Sequence, residues 1–360
     1  MPTTDNNKKT SSRPAASSNG KKPASRPTNP ASNTKIGSKP AIPIKKKKRR
    51  KKKSYGSLKF AFAMLIIAVA AYLALCALDT AGIIDIGELN LLGGGKDMGE
   101  AIPVPEDDEA IFHFIDVGQG DAILITTSGG NVLVDTSESS EWDKLNAYLE
   151  RANIEKIDYL VLTHPDADHI GNADKVILNY EIGKVIMTDY AATSKTFERM
   201  LDAIEEKDLD VIMPKPGDSF ALGALKLTVV APTKEFDDPN EMSIVLKATF
   251  GETSVMLTGD AEKESEGDLL SYWNKDDLKC DILKVGHHGS SSSTTDDFLA
   301  AVDPSIAVIS CGEDNKYGHP HDEIRDKLAK EKITVYRTDL HGSIVFRTDG
   351  ERFELVSTEK

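Results

Sequence analysis

Leu162-Thr163-His164-Pro165-Asp166-Ala167-Asp168-His169-Ile170-Gly171-Asn172 decides how the rest of this chain is read. It closes the apolar run Ile157, Tyr159, Leu160, Val161, Leu162, which has the pattern of a buried strand. Imidazoles and carboxylates begin abruptly where the strand ends. Neutral imidazole nitrogen and carboxylate oxygen suit divalent zinc, manganese or iron. His164 and Asp166 stand two apart and Asp168 and His169 are adjacent, so a tight turn can aim two ligand pairs into neighbouring sites. The competing reading is a polar loop that opens a helix, with Asp168 near its start. It gives no reason for so many metal-ligand types in one turn.

Three other stretches belong with this one: Phe114-Ile115-Asp116-Val117-Gly118-Gln119-Gly120-Asp121-Ala122, Thr258-Gly259-Asp260 and Val285-Gly286-His287-His288-Gly289-Ser290. Together with the spacing of His164, Asp166, Asp168 and His169 they resemble the metallo-β-lactamase superfamily. Within it they are most similar to the metallo-β-lactamase-like domain of the ComEC competence proteins. The likeness runs roughly from Ala110 to Val356 and leaves out the multi-pass channel region of those proteins.

The resemblance implies an α/β fold, a four-layer αββα sandwich in which two sheets face each other beneath outer helices. It also implies two divalent metal ions, manganese or zinc, on His164, Asp166, Asp168, His169, Asp260 and His287. Asp260 takes the bridging place, with a helix N-cap as the alternative because Ala261-Glu262 opens a helix. Asp116 and Asp135 border the cleft as carboxylates that orient ligands. Spacing does not separate the two adjacent histidines. The resemblance gives His287 to the metal and leaves His288 facing the substrate. Asp166, Asp168 and His288 are the candidate catalytic groups. The chain departs from the superfamily pattern twice: Asp166 stands where a histidine is usual, and no histidine occurs from 170 to 286. Asn240 is the nearest substitute by position. A first site richer in oxygen favours manganese.

Charge is divided along the chain. Residues 1–59 carry 18 Lys or Arg and one acidic residue, whereas residues 60–360 carry a formal −31. The acidic part disfavours non-specific nucleic-acid binding, so positive charge for a phosphodiester has to come from metal ions. Cys76, Cys280 and Cys311 are far apart and form neither a disulfide framework nor a zinc-knuckle spacing. Residues 1–56 are Ser-, Pro- and Lys-rich with almost no large apolar side chains, and are expected to be a disordered basic tail on the cytoplasmic side. Phe60 to Leu78 is uncharged and follows nine consecutive basic residues, Lys45 to Lys53. This predicts one transmembrane helix over 57–79, basic side inward, with a cleaved signal peptide as the alternative. Residues 80–108 then form a linker, and 109–360 an outward-facing hydrolase domain on a single-pass cell-membrane protein.

Past the linker, strand patterns at Ile111–Ile115, Ala122–Thr127 and Asn131–Val134 precede a helical pattern over Trp142–Ile154. Strands then alternate with helices to residue 214, an α/β unit. His113 alternates with Phe112 and Phe114 and reads as a structural histidine. Ser290, Tyr317, His319, Arg337 and His341 are the candidate substrate contacts, Arg337 either on a phosphate or on Asp339. The expected activity is hydrolysis of a phosphodiester by metal-activated water, with single-stranded DNA as a candidate substrate. Cell-envelope phosphodiesters such as teichoic-acid decorations are the rival substrates. A metal-binding scaffold without turnover is the alternative from another class. No obligate protein partner is legible.

Overall fold

Alternation within the strands sets the layering of residues 102–360, which are the residues the computed structural model describes. In β2 (Ile123–Thr127), Ile123 and Ile125 join one apolar cluster and Leu124 another; in β3 (Gly130–Val134), Val132 and Val134 part from Leu133 in the same way. Successive side chains of a strand face opposite ways, so a strand apolar on both faces is covered on both sides. β1 (Ala110–Phe114), β2 and β3 form an antiparallel meander. β4 (Lys156–Leu162), β5 (Glu181–Met187) and β6 (Val211–Ile212) extend it in parallel.

The second half repeats the plan. β7 (Ser219–Leu222), β8 (Leu225–Ala231), β9 (Val245–Phe250) and β10 (Thr253–Leu257) are antiparallel. β11 (Ile282–Lys284), β12 (Ile306–Ile309) and β13 (Thr334–Arg337) follow in parallel. β14 (Ser343–Thr348) and β15 (Phe353–Glu359) return to the first sheet. The sheet orders are β15-β14-β1-β2-β3-β4-β5-β6 and β13-β12-β11-β10-β9-β8-β7.

Three buried clusters fill the spaces between layers. Phe112, Ile125, Val161, Leu227, Leu246 and Val308 lie between the sheets. Leu133, Leu160 and Val185 pack outward on helices Trp142–Arg151, Ala173–Asn179 and Lys195–Glu206 through Leu149, Val176 and Met200. Leu283, Val285 and Ala307 do the same on helices Lys263–Tyr272, Asp296–Val302 and Asp322–Lys330 through Leu269, Phe298 and Leu328. Each such side chain contributes about 1.5–3 kcal/mol. Three apolar layers between four structural layers make the αββα sandwich.

One expectation is corrected. Among the described residues no helix is long and apolar enough to cross a membrane. The longest helix carrying the outer layers, Lys195–Glu206, has 12 residues, roughly 18 Å at the α-helical rise and well short of a bilayer. The segment 57–79 lies outside the described residues, as do the tail and most of the linker, so the membrane-anchored, outward-facing arrangement is not carried forward. The alternative reading of Asp260 as a helix N-cap does not hold, because the N-cap of Lys263–Tyr272 is Glu262. His113 is held inside, with Nδ1 3.0 Å from the Tyr148 hydroxyl and Nε2 3.4 Å from Thr126 Oγ1. Burial pushes its pKa down to about 3.

Candidate metal centre

The carboxyl ends of the parallel strands open at one place, and the sequence puts its polar residues there. Asp135 follows β3, the His164–His169 loop follows β4, Asp260 follows β10 and His287-His288 follow β11. Two glycines permit the close approach. A Cβ at Gly120 would lie 2.3 Å from the Asp168 carbonyl oxygen, and one at Gly259 would lie 3.0 Å from Thr163. Both glycines have positive φ, +121° and +53°.

His169 and His288 are fully buried and point at each other, Nε2 to Nε2, at 3.3 Å. Asp260 joins them: its Oδ1 is 3.2 Å from His169 Nε2 and its Oδ2 3.4 Å from His288 Nε2. Asp168 Oδ2 is 3.5 Å from the same His288 nitrogen. Two nitrogens ligating one tetrahedral ion at about 2.05 Å would stand about 3.3 Å apart, so this spacing fits a shared cation. His164 Nε2 lies 4.0 Å from Asp260 Oδ2. That nitrogen and Asp260 Oδ1 are buried without a hydrogen-bond partner, as ligand atoms awaiting a cation would be. Ligand atoms within 4.8 Å of one another form four groups: His164, His169 and Asp260; Asp168, His169 and His288; Asp121, Asp260 and His288; Asp121, Asp135 and His169.

The ligands are held from behind. Asp135, fully buried, accepts from Thr163 N at 2.8 Å, Thr163 Oγ1 at 2.7 Å and His169 Nδ1 at 2.7 Å. His288 Nδ1 donates to the Ser310 carbonyl at 3.0 Å. Each bond fixes the tautomer that turns Nε2 toward the centre. Burial opposes charge on His169, but Asp260 and Asp135 outweigh it and hold the pKa well above the ordinary range. Burial likewise opposes charge on His288, yet Asp260 and Asp168 raise it to about 9. Burial, with His169 alongside, holds His164 well below the ordinary value. A cation held here would need the Nε2 atoms of His164, His169 and His288 unprotonated, so its binding would depend on pH.

The structure separates the adjacent histidines by their surroundings. His288, not His287, converges with Asp168, His169 and Asp260. His287 is 24% exposed, 3.6 Å from Asp260 Oδ2 through Nε2, and bonded by Nδ1 to Glu262 Oε1 at 2.8 Å. Both have left-handed backbone, φ +46° and +54°, which turns one ring into the centre and the other across its mouth. Asp166 is exposed and in none of the four groups. Asn240 donates from Nδ2 to Glu262 Oε1 at 3.4 Å, and its Oδ1 is buried without a hydrogen-bond partner. Asp116 accepts from Gly118 N at 3.1 Å and so shapes the turn before Gly120.

Of the expected substrate contacts, His319 and Tyr317 reach the centre. His319 lies with its ring 6.2 Å from His288 and 5.6 Å from His287, and Tyr317 stacks on it at 5.5 Å. Burial, then His288 and His287, push His319 down to about 4, so it is neutral. Gln119, Glu138, Ala167, Asp168, Asn315, Lys316 and Tyr317 line a cavity of about 270 Å³. Ser290 is buried, its hydroxyl 2.8 Å from Ser292 Oγ. Arg337 makes a two-pronged pair with Asp339 at 2.9 and 2.5 Å, and His341 Nδ1 lies 2.9 Å from the Arg337 carbonyl. These two brace the loop after β13 and do not join the metal groups. Asp121, Thr163, Glu262 and Lys284 were not singled out from sequence. Lys284 was the detectable one, a lone charge inside the apolar strand pattern Ile282-Leu283-Lys284-Val285.

Fold and centre together are those of a metal-binding hydrolase, and the chain belongs to the metallo-beta-lactamase superfamily, whose family model matches residues 115–313, more than half of its length. ComE operon protein 3 of Bacillus subtilis (strain 168) is 35% identical over 260 residues, which is 66% of this chain and 33% of that protein. Competence protein ComA of Neisseria gonorrhoeae is 29% identical over 291 residues, 79% of this chain and 38% of that one. The chain thus spans about a third of the length of these relatives. Among solved structures, the metallo-beta-lactamase fold protein YhfI from Bacillus subtilis matches with a TM-score of 0.46 at 13% identity, over 67% of this chain and 100% of that one.

Proposed function

We propose that residues 109–360 form a phosphodiesterase, with single-stranded nucleic acid as substrate, that works with two divalent cations, manganese or zinc. The observation that carries this is the convergence of His169 Nε2 and His288 Nε2, 3.3 Å apart, on Asp260. Asp168, His169, Asp260 and His288 would hold one cation, and His164 with Asp260 the other. When bound, the pair would supply Lewis-acid polarisation of the phosphoryl oxygens and lower the pKa of water. The chain's own groups do the positioning. Asp135 and the Ser310 carbonyl keep the two buried imidazoles aimed inward. Asp168, 27% exposed and bonded to His288, faces the cavity where the ester would lie.

Tyr317 favours nucleic acid over a base-free polymer. It is 50% exposed at the rim of that cavity, with Lys316 Nζ 4.9 Å from its ring centroid. An exposed ring beside a cation is the pairing that stacks a base and meets its phosphate. Asn315 stiffens the loop, donating to the Gly312 and His319 carbonyls at 2.9 and 2.6 Å.

The experiment is hydrolysis of bis-p-nitrophenyl phosphate and of a single-stranded 12-mer by the full chain. Manganese, zinc, cobalt and iron are each supplied in turn. Turnover of both esters, abolished by Asp260→Asn, is expected. Inactivity with every metal refutes the phosphodiesterase. Faster turnover of a glycerol-phosphate polymer than of the 12-mer moves the substrate to the cell envelope.

A further inference from the structure

Lys284 ends β11 and points where a lysine is least expected. Ile282 enters the layer between the sheets and Leu283 the outer layer, so alternation sends Lys284 between the sheets as well. Its side chain is 0% exposed, with Nζ 2.6 Å from Asp121 Oδ2 and 3.1 Å from the Val285 carbonyl. A buried ion pair is a poor source of stability, because desolvation of the two charges cancels most of their attraction. Its place in the molecule suggests another use.

Asp121 comes from the turn between β1 and β2 and crosses to Lys284 on the opposite sheet. It meets the metal centre from beneath. Its Oδ1 is 3.7 Å from His288 Nδ1 and has no hydrogen-bond partner. Its backbone N donates to the Asp168 carbonyl at 3.2 Å, and its carbonyl accepts from Ser137 N at 2.8 Å. It belongs to two of the four ligand groups, one with Asp260 and His288, the other with Asp135 and His169. Four carboxylates, Asp121, Asp135, Asp168 and Asp260, crowd this space. Lys284 is the buried ammonium that pairs with the first of them, Asp121.

We propose that Lys284, acting through Asp121, is a positioning residue for the cation site of Asp168, His169, Asp260 and His288. It clamps Asp121 to the floor of the cleft, which keeps His288 and the backbone of Asp168 in register. It also supplies a fixed positive charge that lets the carboxylates gather before a cation arrives. The inference rests on the metal-binding reading of the centre and adds its floor.

The test uses the full chain with cobalt as probe, reading affinity by calorimetry, ligand geometry by the visible absorption of bound cobalt, and stability by thermal melting. Lys284→Met strands the Asp121 charge and should lower both melting temperature and affinity. The double variant Lys284→Met with Asp121→Leu leaves no unpaired charge, so it should recover the melting temperature. Its cobalt affinity should stay roughly 10- to 100-fold below native, with an altered spectrum. Native affinity and spectrum in the double variant would overturn the proposal and leave the pair a strut between sheets. If the double variant does not fold, Lys284→Gln replaces it. An amide keeps a donor to Asp121 without the charge, so weakened cobalt binding supports the proposal and unchanged binding overturns it. Failure of the native chain to bind any cobalt refutes instead the metal-binding reading beneath it.

Discussion

Asp135→Asn separates the fold from the metal centre more cleanly than removal of a ligand does. Three donors point at the Asp135 carboxylate: Thr163 N, the Thr163 hydroxyl and His169 Nδ1, all within 2.8 Å. An asparagine has one acceptor oxygen to offer them. If that oxygen faces Thr163 N, the amide nitrogen meets His169 Nδ1 and donates to it. The imidazole proton then moves to Nε2, the atom that faces His288 and Asp260, where it blocks ligation. With the amide reversed, His169 keeps its tautomer but two N–H groups oppose each other at Thr163. The loss of one satisfied buried donor costs about 1–3 kcal/mol of stability, which the domain should survive. Affinity for the cation on His169 should fall about 10- to 100-fold, or about 1.4–2.8 kcal/mol. Titration calorimetry with manganese and zinc reads the affinity, and urea unfolding without metal reads the stability. Native cation affinity in a variant that has lost stability would refute the argument, because it would show that His169 needs no partner to be aimed.

The two adjacent histidines should respond differently. His288→Ala removes one bound ion by elemental analysis, while His287→Ala keeps the native metal content, and equal losses would contradict the geometry. His113 predicts an acid-sensitive core. Its folded pKa, about 3, lies below the unfolded value of 6.5, so its contribution is whole above pH 6.5 and is lost as pH falls toward 3. The native protein should lose about 1.4 kcal/mol per pH unit in that window relative to His113→Gln; parallel pH profiles of urea stability for the two proteins would count against it. Tyr317→Ala should raise KM for the single-stranded 12-mer by about tenfold and leave that for bis-p-nitrophenyl phosphate unchanged, with Tyr317→Trp restoring it. An equal rise for both substrates would place Tyr317 in the cleft wall instead of on a base.

What could be seen in the sequence was what one strand or one turn contains. β4 shows its strand in Leu160-Val161-Leu162, and the loop after it shows its ligands, because both are local. β7 and β15 were not foreseen. Each is an edge strand with a partner on one side, and their mixed, half-exposed residues carry no clean alternation. The choice between His287 and His288 depends on two consecutive left-handed residues, and apart from the flanking Gly286 and Gly289 nothing in the residue types announces that turn. Asp166 has the right chemistry, but it sits at the N-cap of the short helix Ala167–Ile170, which carries Asp168 and His169 inward and leaves Asp166 outside. The floor of the centre was hidden by distance along the chain. Asp121 and Lys284 come from the two different sheets and become a pair once the sandwich closes. Its trace in the sequence is a charge placed where alternation demands an apolar side chain. A lysine at such a position has to find its counter-ion in another part of the fold, and here the partner is a carboxylate that also touches the ligands.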